Sequence, residues 1–120
     1  MKDDQKNEIK KQGKMIDFVE VSTDKRNTEI NAEYYNERKI VLKTGSKLSK
    51  EVVSTYKQKA ARNRELKKIA TETDEHWVLK EDKAFSSVSG AINYATGGSM
   101  NGWEYWIITE SGAALQSIRK

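Results

Sequence analysis

SMNGWEYW, residues 99–106, holds two of the chain's three tryptophans and a tyrosine around an Asn-Gly pair. Read as a turn at Asn101-Gly102 followed by a strand over residues 103–109 (WEYWIIT), it sends alternate side chains to opposite faces. Trp103, Tyr105 and Ile107 then share one face, and Glu104, Trp106 and Ile108 the other. Both faces are largely apolar, which predicts a central strand covered by helices. Trp103 is expected to pack on the second helix, and Trp106, beside Glu104, is the candidate for exposure.

Working outward, residues 85–98 (FSSVSGAINYATGG) open on two serines and carry Val88, Ala91, Ile92 and Ala95 at i, i+3, i+4 and i+7. That spacing predicts a helix, closed by Gly97-Gly98. Residues 76–80 (HWVLK), 39–43 (KIVLK) and 16–22 (IDFVEVS) read as strands, whereas residues 23–31 are polar and turn-like. Ser49 is placed to cap a long helix from Lys50 to about Ala70, with Val52, Val53, Tyr56, Ala60, Leu66 and Ala70 within about 140° of arc. Residues 113–120 form a short helix or tail. The fold class is α+β: a small, mostly antiparallel sheet of about four strands packed against two helices. Residues 1–14 have one aliphatic side chain after Met1 and are expected to be a disordered or solvated tail, leaving residues 15–120 as a single domain.

The composition excludes several kinds of chemistry. The 120 residues include no cysteine and one histidine, His76, so disulfides, thiolate catalysis and Cys- or His-pair metal sites are not expected. No run approaches the roughly 20 apolar residues of a membrane span, and residues 1–14 lack a signal-peptide core. A cytoplasmic protein is expected. No G-x-S-x-G elbow and no Gly-rich phosphate loop is present, and the four Glu-x-Lys triplets are unremarkable in a chain that is 33% charged. The expectation is a non-enzyme with no cofactor and no metal.

Charge is unevenly distributed. Residues 37–69 hold eleven Lys or Arg against three acidic residues, for a net +8, while residues 1–36 carry −1 and residues 70–120 carry −3. Segregation of this kind points to an anionic partner. On the long helix, Lys50, Lys57, Arg64 and Lys68 project along one flank over about 27 Å, with Lys59, Arg62 and Lys67 scattered elsewhere. Such a flank either keeps the helix solvated or contacts phosphates.

Three blocks, KIVLKTGSKLS (39–49), FSSVSGAINYATG (85–97) and MNGWEYW (100–106), together with Gly112 and Leu115, resemble a known small domain. It is the uncharacterised domain appended to GIY-YIG nucleases and restriction-modification enzymes, and it is similar to the RAMA (restriction enzyme and adenine methylase associated) domain. The resemblance covers residues 18–115. It departs from the pattern at Thr44, inserted before Gly45, at Val88 in place of proline, and at Gly90 in place of alanine.

The resemblance implies a compact module that works beside DNA-processing enzymes, binds DNA and in some cases senses adenine methylation. Combined with the charge distribution, it gives the expectation of a non-catalytic module on double-stranded DNA. Lys43, Lys47, Lys50, Lys57, Arg62, Arg64 and Lys68 would contact phosphates. The helix start at Ser86 and Ser87 would hold one more, and Asn101 and Trp106 would read a base or its methyl group. Restriction, methylase or defence enzymes are the expected associates. The alternative is a small protein-interaction module, a phage or mobile-element inhibitor, that binds a nucleic-acid-handling host defence enzyme.

Overall fold

The structure, a computed structural model, describes residues 18–119. The expected tail at residues 1–14 lies outside them, as do Ile16 and Asp17 of the first expected strand. Strand β1 (Val19–Thr23) and β2 (Ile30–Asn36) form an antiparallel hairpin with Val21 opposite Ala32 and Thr23 opposite Ile30. Its loop turns through Arg26 and Asn27, at φ 56° and 60°. Thr28 closes the loop by donating from Oγ1 to the Lys25 carbonyl at 2.6 Å. β3 (Lys39–Leu42) pairs with β2 through a register shift between Tyr34 and Asn36.

Alternation places Val21, Ile30, Ala32, Ile40 and Leu42 on the buried side of this sheet, as expected where one face meets the core. Two short strands complete it. β7 (Lys83–Phe85) lies against β3, and β8 (Ile107–Ile108) against β1, giving the order β7-β3-β2-β1-β8, antiparallel throughout. A second antiparallel sheet has the order β4-β6-β5, from β4 (Lys47–Ser49), β5 (Ala70–Glu72) and β6 (His76–Leu79).

Helix α2 (Val88–Thr96) touches β3 and β7 of the first sheet and β4 of the second, and buries Val88, Ala91, Ile92, Tyr94 and Ala95 between them. Its ends are set locally. Ser87 Oγ accepts from the Gly90 N–H at 2.9 Å, and Gly97 supplies the left-handed C-cap at φ 70°. The α+β class and the mostly antiparallel sheet are as the sequence predicts, with eight described strands in two sheets rather than about four in one.

Two elements differ from expectation. Helix α1 runs over Lys59–Ile69, so its true start is nine residues beyond Lys50. Ser49 ends β4 opposite His76, and its Oγ turns the chain locally by accepting from the Glu51 N–H and donating to the Glu51 carbonyl. Residues 50–58 then run against the C-terminal end of α2, where the Val53 N–H donates to the Gly97 carbonyl at 2.7 Å. The run Val52-Val53-Ser54-Thr55 has poor helix propensity, and this tertiary contact outweighs what little there is.

The second difference is the opening segment. Gly102–Tyr105 is a helical turn, α3, with Asn101 as its cap, and the strand shrinks to two residues. A turn puts i and i+3 on one side, so Trp103 and Trp106 are both buried. The expected exposure of Trp106 is therefore corrected: it is the largest fully enclosed side chain, and Tyr105 is the aromatic left outside. Leu115–Ile118 forms the closing 3-10 turn. No described helix is long and apolar enough to cross a membrane.

Candidate nucleic-acid interface

Helix α1 packs on β5 and β6 through a narrow inner face on which Arg62 and Leu66 are buried. Arg62 is 2% exposed, with Nε donating to the Tyr94 carbonyl and Nη2 to the Ser49 carbonyl, each at 2.7 Å. Nη1 has no partner among the described residues. Arg62 therefore clamps α1 to α2 and β4, and the expectation that it contacts phosphate is corrected. Burial lowers its pKa from the usual arginine value, with Tyr56 and Tyr94 acting in the opposite direction.

Glu65, next on the helix, accepts from Tyr94 Oη at 2.5 Å and from Lys83 Nζ at 3.0 Å. Burial pushes its carboxyl up, but those two hydrogen bonds outweigh it and the net shift is downward. Tyr94 moves the other way, raised by burial and then by donating to a carboxylate.

The remaining cations divide into two groups. Lys43 lies 2.8 Å from Asp82 and 3.4 Å from Glu33; Lys47 lies 3.8 Å from Glu29; Lys50 lies 2.9 Å from Glu72 and donates to the Thr73 carbonyl. These three expected phosphate contacts are all paired with carboxylates. Lys25, Lys39 and Arg119 lie over aromatic rings, and Arg26 donates to the Thr96 carbonyl.

Among the described residues, Lys57, Lys59, Arg64, Lys67, Lys68, Lys80 and Arg38 have neither a carboxylate within 4 Å nor an aromatic partner. All of them are exposed. Six of these seven sit on or beside α1, since the Lys80 N–H donates to the Ile69 carbonyl at the helix's end. Arg64, Lys67 and Lys68 lie within about 100° of arc on the side opposite Arg62 and Leu66. Of the original ridge, Arg64 and Lys68 stay together on the helix and Lys67 joins them; Lys50 and Lys57 precede the helix, Lys59 lies toward the Leu66 side, and Lys80 lies at the helix's end. The cations of α1, from Lys59 to Lys68, span about 14 Å along the axis rather than 27 Å, because the helix is shorter. Lys67 was legible as a cation, but only the true buried face, Arg62 and Leu66, puts it in the outer group.

The other expected site residues are engaged elsewhere. Ser87 Oγ caps its own helix, while Ser86 is exposed. Asn101 Oδ1 accepts from the Trp103 N–H at 2.9 Å, which caps α3. Trp106 Nε1 donates to the Val88 carbonyl at 2.9 Å inside the core, so neither its edge nor its face can read a base. No group of three or more His, Asp or Glu among the described residues is placed to hold a metal.

The class is thus a small α+β domain, with two antiparallel sheets joined by α2 and one cation-bearing outer helix. The family model described as Domain of unknown function (DUF4357) matches residues 23–119, and the chain belongs to that family. No curated protein and no solved structure matches it.

Proposed function

We propose that the chain is a non-catalytic DNA-binding module whose contact face is the outer side of α1 and its approach. What supports this is the division of its cations: six of the seven without a described partner lie on α1 or at its two ends, and Arg64, Lys67 and Lys68 share its outer side. Exposed cations free of carboxylates can release counterions from DNA, whereas Lys43, Lys47 and Lys50 would first have to give up their partners. The setting is beside restriction-modification or other DNA-processing enzymes, as the sequence resemblance implies, and in the cytoplasm, which the lack of cysteine suits.

The test is fluorescence anisotropy of a labelled 20-base-pair duplex over a series of salt concentrations. About five phosphate contacts give a log–log slope near −4.5, at about −0.9 each. Replacing Lys57, Arg64 and Lys68 together by glutamine should reduce the slope by about 3. Replacing Lys43, Lys47 and Lys50 instead should change it by less than about 1. No duplex binding at low salt overturns the proposal, and the same cations would then be matched to the acidic surface of a protein partner. A duplex carrying methylated adenine, run in parallel, tests modified-base sensing.

A further inference from the structure

A groove of about 310 Å³ opens beside the cationic face, between residues 55–58 on one side and α2 with the turn after it on the other. Its size is at the lower end of small-ligand sites. We propose that it receives one unstacked nucleobase of the strand whose phosphates lie along α1, an inference that rests on the function proposed above.

Continuity is the first support. Lys57 belongs both to the groove and to the cation group, and Gln58, also in the groove, is the residue at the start of α1. A base in the groove therefore has its own phosphate within reach of the helix face. The lining chemistry is the second support. Tyr56 is its aromatic residue, the type on which bases stack without regard to sequence. Asn93 is oriented: its Oδ1 accepts from the Met100 N–H at 2.7 Å, which leaves its two N–H donors for a ligand. Gln58, Thr55 and Ser99 add donors and acceptors of the kind that pair with a base edge.

Gly90 is the third support. It lies inside α2, where glycine weakens a helix, and it is exposed. A Cβ there would meet nothing within 4 Å except Ser87 Oγ, at 2.8 Å. The missing side chain keeps α2's wall of the groove open.

The experiment compares three labelled 20-base-pair duplexes by anisotropy: fully paired, with one bulged thymidine, and with one bulged abasic nucleotide. The abasic bulge keeps the flexibility and the phosphates but has no base to insert. The bulged thymidine is expected to bind about tenfold tighter than either of the others, the scale of one base stacked on an aromatic side chain. Tyr56→Ala should remove that preference and leave the salt slope unchanged. Ser99→Leu, which fills the groove from an exposed position and leaves the core intact, should do the same. Amide NMR shifts at Gly90, Gly98 and Ser99 should follow the thymidine duplex and not the abasic one. Equal affinity for all three duplexes with a steep salt slope overturns the groove while α1 stands as the phosphate contact. No binding of any duplex at low salt overturns both.

Discussion

Trp106 and Val88 are joined by a hydrogen bond from the indole Nε1–H to the Val88 carbonyl at 2.9 Å. That carbonyl is also where Gly102 approaches most closely, since a Cβ at 102 would lie 2.4 Å from it. One backbone oxygen at the start of α2 thus fixes both ends of α3. The indole is fully enclosed, and the turn that carries it can sit so close only because residue 102 has no side chain.

Trp106→Ala is therefore expected to cost about 3–5 kcal/mol, the range for removing a buried aromatic ring. Trp106→Phe keeps much of the volume but removes the indole donor from the Val88 carbonyl, which keeps its helical partner, for about 1 kcal/mol. Trp103 is 8% exposed and packs edge-on to Tyr34 with Arg119 over its ring, so Trp103→Ala should cost less than Trp106→Ala. Urea denaturation of the three variants checks the order. Equal midpoints for Trp103→Ala and Trp106→Ala would show that the shared carbonyl contributes nothing.

The tryptophans also show what was legible in the sequence. The strands at 39–43 and 76–80 and the helix after Ser87 were readable because their apolar spacing and caps agree with the tertiary contacts. β2 was not, because INAEYYN is half polar: Ile30 and Ala32 are buried, Tyr34 is only partly buried against the core, and Asn31 and Glu33 point the other way. Both helix errors arose from interactions remote in sequence. Ser49 looks like a cap until β6 pairs with β4, and WEYW alternates like a strand until Gly102 meets Val88. The phosphate candidates inherited the first error. A helix taken from Lys50 sent Arg62 outward, when it is the residue that holds the helix down.

Arg62→Ala should consequently behave as a core mutation. It leaves the Tyr94 and Ser49 carbonyls without their donors and opens a void, for a cost of about 3–5 kcal/mol. Arg62→Met fills the space of the stem and should recover part of that loss. Lys68→Gln, in the exposed last turn, should cost no more than about 1 kcal/mol through the helix dipole. Thermal and urea unfolding measure all three. Near-native stability for Arg62→Ala, with a reduced salt slope on DNA, would return Arg62 to the phosphate-contacting group.

Asp82 ties the β6–β7 turn to the chain after β3. Its carboxylate accepts from Lys43 Nζ and from both the N–H and the hydroxyl of Thr44, holding its pKa down at about 2. A carboxyl depressed in the folded state is protonated more readily in the unfolded chain, so stability rises with pH across the interval between the two pKa values. The contribution is complete above the unfolded value of about 3.9 and lost as pH falls towards about 2. Glu65 is also shifted down and acts in the same direction. Asp82→Asn should therefore flatten, without abolishing, the dependence of unfolding free energy on pH between about 2 and 4. Identical slopes for wild type and variant would mean that the Lys43–Asp82–Thr44 contacts do not persist in solution.

Gly97 and Gly45 both have positive φ, at 70° and 92°, but their surroundings differ. A Cβ at Gly45 meets nothing within 4 Å, so Gly45→Ala should cost only the left-handed strain, about 1–2 kcal/mol. At Gly97 the same atom would lie 2.2 Å from the Glu51 carbonyl oxygen and 2.9 Å from Val52, neither of which is the free end of a flexible side chain. Gly97→Ala must therefore push residues 51–53 away and lengthen the bond from the Val53 N–H to the Gly97 carbonyl. Its cost should exceed that of Gly45→Ala by about 1–3 kcal/mol, the overpacking range. Residues 55–58 follow directly, so the displacement should also reach Tyr56 and Lys57 at the mouth of the groove. Denaturant titration of the two alanine variants reads the difference. Equal costs would show that residues 50–53 do not press on the end of α2, which leaves the contacts of Arg62 and Glu65 with Tyr94 to hold α1 and α2 together.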